Sequence, residues 1–263
     1  MNRLWYTHSS QNWNAALPIG NGFMGAMCFG GNIADRFQLN CDSLWHGGFR
    51  ERINPDAREN IPRIQKLIAQ GKIRQAEKLA NLAMASMPDY QCHYEPLCDM
   101  FIIPETSKNV MMLGMRDCWS SQIYDMLPCE NYQRQLDIDS GIHTVSYSLN
   151  NIEHFRESFI SFPDRVMAVR CKGAPASVII ERGVYMESLK QLDCNTLCMS
   201  GKAGSDGVEY CFCIRVIKGS LGIIGRTLLC DEDSVIIASA ETSFYCENPL
   251  NKLVSRLVYA QKL

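Results

Sequence analysis

No stretch of the 263 residues comes near the roughly 18 consecutive apolar side chains that a membrane-crossing helix needs, so no membrane span is expected. An excess of charge of one sign is missing too. The net charge of −2 gives no electrostatic draw toward nucleic acid or an anionic membrane, and neither is expected as a partner. The start, Met1-Asn2-Arg3-Leu4-Trp5-Tyr6, lacks an apolar core followed by a small-residue cleavage site, so no secretory leader is expected and the chain reads as cytoplasmic. There is no C-x-x-C pair, which argues against a structural zinc site, and no G-x-S-x-G, which argues against a serine-hydrolase nucleophile. Internal repeats and low-complexity tracts are also lacking, and nothing in the sequence calls for a cofactor.

Cysteine is abundant, at thirteen residues. An odd number without regular spacing does not read as a disulfide framework. It reads as thiols used as small core hydrophobes in a reducing compartment. Cys92, His93 and Cys98, with Cys211-x-Cys213, are the nearest approach to a ligand set, and their spacing is not that of a metal site. No metal is expected.

Glycines crowd the first fifty residues, with short apolar runs such as Met24 to Phe29 between them, a pattern of short strands and tight turns. Gly20-Asn21-Gly22-Phe23-Met24-Gly25 fits G-x-G-x-x-G letter for letter. The Leu17-Pro18-Ile19 run before it and the absence of a following helix-forming stretch exclude a dinucleotide site.

Residues 54–87 carry helical periodicity. Asn54 is suited to an N-cap and Pro55 to the first helical position; Ile61, Ile64, Leu67 and Ile68 share a face, and Gly71 is placed to end the helix. A second helix is expected from Lys72, with Ile73, Ala76, Leu79, Ala80 and Ala83 on one face, stopped by Pro88. From about Asp99 onward the period is two. His143, Val145, Tyr147 and Leu149 share one face; Tyr210, Phe212, Ile214 and Val216 share another, with Cys211, Cys213 and Arg215 pointing the other way. Further strands are expected at 132–138, 153–161, 165–171, 176–182, 221–228 and 234–240, at roughly ten-residue intervals, the rhythm of stacked antiparallel sheets. The expected fold is therefore mainly β: a large antiparallel β-sandwich with a helical hairpin inserted near residues 55–87. Residues 252–263 turn helical again, with Leu253, Leu257 and Val258 expected on an unpaired apolar side.

Several ordered motifs resemble the N-terminal domain of glycoside hydrolase family 95, whose members are chiefly α-L-fucosidases. They begin with Leu4-Trp5-Tyr6, Trp13-Asn14, Ala16-Leu17-Pro18-Ile19-Gly20-Asn21-Gly22, Gly25-Ala26-Met27 and Gly30-Gly31. Gln38-Leu39-Asn40-Cys41-Asp42-Ser43-Leu44-Trp45-His46-Gly47-Gly48 stands where that family usually has Q-L-N-E-D-T-L-W-S-G-G, and His93-Tyr94-Glu95-Pro96-Leu97-Cys98-Asp99 where it has H-Y-Q-P-L-G-D. Asn54-Pro55-Asp56-Ala57, Tyr132-Gln133-Arg134-Gln135-Leu136-Asp137, Val145-Ser146-Tyr147 and Arg156-Glu157 continue the match, while 104–130 fits poorly.

The resemblance implies a supersandwich-like β domain over residues 1–250, with 251–263 starting a helical linker to an (α/α)6 barrel. In that family the barrel holds the catalytic groups, which carry out an inverting hydrolysis of α-1,2-linked L-fucosides or, in some relatives, L-galactosides. The barrel's N-x-N…M-N-Y-W stretch is not found here, so the chain alone is expected to lack catalytic residues. Three functions fit these features: a non-catalytic support domain acting with a barrel, carried on the same or a separate polypeptide; a free-standing carbohydrate-binding module; and a complete hydrolase using carboxylates of this domain alone. A fucosylated glycan is the expected ligand of the complete enzyme only.

Trp5, Trp13, Trp45 and Trp119 offer flat faces for sugar stacking. Trp5 and Trp13 are expected in the core or at a domain junction. Trp45, beside Gly47 and Gly48, is placed near the face where a barrel docks. His93 and Glu95, with Asp99, have the residue types of an acid–base cluster, although a loop after a helical hairpin more often uses such groups to bond backbone. Asn40 and Asp42 are expected to hold a turn. The candidate substrate-binding or interface residues are thus Trp45, Gly47, Gly48, His93 and Glu95, with no catalytic residue.

Overall fold

The computed structural model describes residues 2–107 and 126–261. Trp119 and most of the poorly matching 104–130 stretch lie outside the described residues.

Among the described residues, fourteen strands form one antiparallel system. Their core is the two longest, β13 (Glu209–Ile224) and β14 (Thr227–Thr242). They make a hairpin closed at Gly225-Arg226, with Ile224 paired to Thr227. Gly225 sits at φ 60°, the left-handed backbone that a two-residue hairpin turn requires at its first central position. The strands expected at 221–228 and 234–240 are therefore one hairpin running through 209–242. Three register shifts between Val216 and Gly222 break the period-two pattern on which the division rested.

β14 joins two layers. Its first residues pair with β10 (Ala176–Glu181), and Asp233 to Ala238 pair with β9 (Met167–Lys172). On the β9 side the order continues through β8 (Ile152–Ile160), β7 (Ile142–Leu149) and β6 (Glu130–Asp137) to β1 (Arg3–Tyr6). On the β10 side it runs through β5 (Cys98–Pro104), β4 (Asp35–Cys41) and β3 (Met24–Cys28) to β2 (Leu17–Gly20). β12 (Thr196–Lys202) pairs with β13, and β11 (Ser188–Asp193) with β12. The sheet curls on itself and closes over a core that includes Phe37, Leu39, Met100, Ile102, Met167, Val178, Phe212, Ile214 and Ile236. The expected mainly β, sandwich-like fold is what the chain adopts, with β7 burying His143, Val145, Tyr147 and Leu149 as its alternation requires.

The hairpin insertion comprises α1 (Ala57–Ala69) and α2 (Ile73–Ala83), with Gly71 between them at φ 70°. Asn54 does not cap α1. Its Oδ1 accepts from the Asp56 N–H at 3.0 Å, while its amide donates to the carbonyls of Leu82 and Ala85, tying the entry of α1 to the exit of α2. Ile61 and Ile68 are exposed, so the apolar stripe expected on α1 is only partly covered.

The last helix, α3 (Pro249–Ala260), corrects another expectation. Its Leu253 and Leu257 are fully buried against Cys198, Cys211, Cys213 and Ile237 on the outer face of the sheet, and of the three named residues Val258 alone is exposed. The alternate face of β13 is buried for the same reason. Cys198 and Cys213, directly opposed across β12 and β13, form a disulfide. Of the free cysteines, Cys28, Cys41, Cys98, Cys171, Cys211 and Cys230 are buried, and burial pushes their thiols up, as befits core packing.

Trp5 and Trp13 are both more than half exposed and do not pack in the core. They lie on a short edge strand and a single 3-10 turn, neither covered by a second layer. No described helix is long and apolar enough to cross a membrane.

Candidate functional site

The helical insertion leaves the sheet after β4 and returns at β5, so its two feet lie side by side. Leu44 and Leu97, both fully buried, anchor these feet in the core. Between them the chain closes a small ladder: the His46 N–H donates to the His93 carbonyl, the Glu95 N–H to that of Leu44, and Trp45 bridges Tyr94. Four of the five sequence candidates, Trp45, Gly47, His93 and Glu95, meet at this neck, and Gly48 follows directly.

Trp45 and Tyr94 meet edge to face, their centroids 5.3 Å apart. The indole N–H donates to the Asp42 carbonyl at 3.0 Å and the Tyr94 hydroxyl to the Cys41 carbonyl at 2.7 Å, so both rings are held by their polar ends. Burial, followed by the negative charges of Cys41 and Asp42, pushes the Tyr94 hydroxyl up to about 12. Asp42 lies, as expected, in a turn, closed by the Leu44 N–H donating to the Cys41 carbonyl, but its side chain reaches elsewhere. Its carboxylate accepts from the Tyr245 hydroxyl at 2.7 Å, bringing in the end of β14 from 203 residues away. The Asp42 hydrogen bond is the main cause of the raised Tyr245 hydroxyl pKa. Tyr245 leads to a row of rings: Phe23, with Phe162 beyond it, and Phe244. The Arg165 guanidinium lies 3.6 Å from the Phe23 centroid. A shallow depression beside them is lined by Asp42, Arg165, Glu241, Tyr245 and Arg256.

On the other side of the neck, Glu95 Oε1 lies 3.2 Å from His93 Nε2 and 3.7 Å from His46 Nδ1. Glu95 Oε2 faces Arg182, at 3.4 Å. The Arg182 side chain is buried and also donates to the carbonyls of Pro96, Leu97 and Val184. Asp99 is not part of this group. It forms a two-pronged pair with Arg36, because the strand alternation of β5 turns it away from Glu95's partners. Cys98 is buried in β5, so the Cys92/His93/Cys98 set does not assemble.

Gly48 is needed for close packing. A Cβ there would lie 2.1 Å from the Asp206 carbonyl oxygen. Gly48→Ala is expected to force the 46–48 and 203–207 loops apart and to destabilise the domain by about 1–3 kcal/mol, read as a lowered urea midpoint at unchanged slope.

The acids here are engaged. Glu95 faces Arg182, Asp42 accepts from Tyr245, and Glu241 pairs with Arg256 and Lys252. Sequence reasoning missed Tyr245, Arg182 and the role of His46. The first two come from the ends of β14 and β10, and no local pattern announces such meetings.

A family model described as "Glycosyl hydrolase family 65, N-terminal domain" matches residues 4–247. The chain belongs to that family. Curated relatives of this family 65 N-terminal domain include "Alpha-L-fucosidase 2" of Arabidopsis thaliana, 27% identical over 64% of this chain and 18% of the relative. Another is "Probable alpha-fucosidase A" of Aspergillus niger, 28% identical over 59% of this chain and 17% of the relative. The matched part thus spans under a fifth of either relative's length. Among solved structures, a "Putative kojibiose phosphorylase from human microbiome" superposes on 99% of this chain and 35% of its own, with a TM-score of 0.53 at 9% identity. That likeness shows a shared fold.

Proposed function

We propose that this domain is the non-catalytic front part of an α-L-fucosidase-like glycoside hydrolase of the family 95 type, and that it braces an (α/α)6 catalytic barrel. The carrying observation is that both curated relatives are named as fucosidases and are matched over under a fifth of their length, so most of such an enzyme lies beyond the matched region. The chemistry of the neck supports this reading. Glycoside hydrolysis needs one carboxyl poised to give a proton and a second to activate water or attack. Here Glu95, Asp42 and Glu241 are committed to Arg182, Tyr245 and Arg256. The neck and the aromatic row are then the surface offered to the barrel, with Trp45, Gly47, Gly48, His93 and Glu95 at its rim.

A fucosyl α-1,2 substrate tests this. The purified chain is expected to release no fucose, and adding a separately expressed barrel polypeptide from a related fucosidase is expected to produce activity. Turnover by the chain alone, abolished by Glu95→Gln, would overturn the reading.

A second reading, a free-standing carbohydrate-binding module, is favoured by one observation. The exposed rings of Phe162, Phe244 and Tyr245 flank a depression carrying Asp42, Arg165 and Glu241, which combines stacking faces with polar groups. Glycan-array binding by the isolated chain, lost in Tyr245→Ala, is its signature.

A further inference from the structure

We infer that His46, His93 and Glu95 form a binding site for a divalent transition metal of the zinc class, which clamps the two feet of the helical insertion together. All three ligand atoms lie within 4.8 Å of one another. A tetrahedral ion with bonds of about 2.0–2.1 Å holds neighbouring ligand atoms about 3.3–3.4 Å apart. Glu95 Oε1 stands 3.2 Å from His93 Nε2 and 3.7 Å from His46 Nδ1, so both separations bracket that value. Two imidazoles and one carboxylate are a recurrent three-ligand set that leaves a further position to water.

Three further features match what a metal site needs. His46 Nδ1 is buried and has no hydrogen-bond partner. A buried polar nitrogen without a partner carries a cost that a bound ion removes. The His46 ring is also fixed: Tyr185 lies 5.4 Å from it, His93 lies 4.5 Å from it, and Gly204 comes so close that an added Cβ would sit 3.0 Å from its Cε1. Glu95 is divided between two tasks, since Arg182 takes Oε2 and leaves Oε1 to the histidines. Arg182 is pinned by backbone carbonyls, the kind of outer-shell support that orients a ligating carboxylate.

The two imidazole planes are only 15° apart, so a shared ion requires one ring to turn. His93, whose side chain is 68% exposed, has the room to do so. The Arg182 charge opposes a second cation nearby and weakens its binding. Where the resembling family usually has Ser and Gln, this chain has His46 and Glu95, and the fold brings these two departures together.

The ion would act on the neck of residues 45–48 and 92–95, where the insertion is tied to the sheet by only a few backbone bonds. The test uses the 263-residue chain with Cys92→Ser, Cys129→Ser, Cys194→Ser and Cys246→Ser, so that the accessible thiols among the described residues do not compete. Zn2+ is titrated against a chromophoric chelator, and Co2+ is bound for spectroscopy. One ion per chain is expected, with d–d absorption of low-coordinate Co2+ and no thiolate charge-transfer band. Amide exchange at 45–48 and 92–95 is expected to slow with Zn2+ and not with Mg2+. His93→Ala, at an exposed position, and Glu95→Gln, which keeps an acceptor for Arg182, are each expected to weaken binding more than about a hundredfold. Equal Zn2+ affinity in these variants, a thiolate-dominated Co2+ spectrum, or no saturable uptake would each overturn the assignment.

Discussion

Asp35→Ala is expected to destabilise the domain by about 3–5 kcal/mol, enough to consume much of the stability of an ordinary domain. Asp35 opens β4 and is fully buried. One carboxylate oxygen accepts from the Gly30 N–H at 2.8 Å, and the other from Arg156 Nε at 2.9 Å. Arg156, reaching from β8, also donates to the Gly31 carbonyl at 2.6 Å and to the Tyr147 hydroxyl at 3.3 Å. Burial pushes the Asp35 carboxyl above its ordinary range, and Arg156 and the Gly30 N–H pull it back. Removing the carboxylate leaves a guanidinium buried without its counter-charge, and that uncompensated charge is the source of the loss.

Arg156→Met is expected to cost a similar amount by stranding the carboxylate. The double variant is expected to cost less than the sum, since no unpaired charge remains, yet more than nothing, because Gly30 and Gly31 lose their partners. Urea denaturation of the four proteins supplies the cycle. Strict additivity would show that the pair is not coupled.

Acid is expected to weaken the domain once the pH falls below about 6.5, where unfolded histidines begin to protonate. His143, on the buried face of β7, has its pKa lowered to about 3 by burial, with Arg156 and Arg134 acting in the same direction. Its Nδ1 meets Ser158 Oγ at 3.1 Å and its Nε2 has no partner. His154, stacked on Tyr147 with centroids 4.7 Å apart, is lowered to about 4, by burial first and then by Arg156. An unfolded histidine titrates near 6.5. Below that pH the unfolded chain takes up protons that the native state refuses. The contribution of each histidine is therefore complete above about pH 6.5 and is lost as pH falls toward the native value.

The slope is about 1.4 kcal/mol per pH unit for His143 alone, and His154 steepens it down to about pH 4. Urea midpoints measured from pH 8 to pH 4.5 should fall steeply below 6.5. His143→Gln should be less stable at pH 8 but markedly less sensitive to pH. An unchanged slope in that variant would remove His143 from the account.

Much of the fold was legible because binary patterning is local. The alternation over 142–149 and 209–216 reports which side chains face inward, since backbone geometry turns successive residues to opposite faces. The helical insertion was legible from its 3.6-residue period, its Gly71 break and Pro88 beyond its end. The site was legible only in part. Trp45, Gly47, Gly48, His93 and Glu95 stood out as residues of a regular motif in loops, but their partners did not.

The sequence by itself determined the class of the domain, most of its strands and its helical hairpin, because periodicity and turn residues act over a few neighbours; β11 and β12 and the long β13–β14 hairpin were not among the strands it marked. Tertiary structure alone decided that Leu253 and Leu257 cover β13 rather than stand unpaired, that Trp5 and Trp13 face solvent, and that Asp99 pairs with Arg36. It alone decided, too, that His46 and Glu95 converge with Arg182, and Asp42 with Tyr245. These outcomes depend on which strand ends meet when a sheet curls, and that is set by long-range register and layer closure, which no short window of residues encodes.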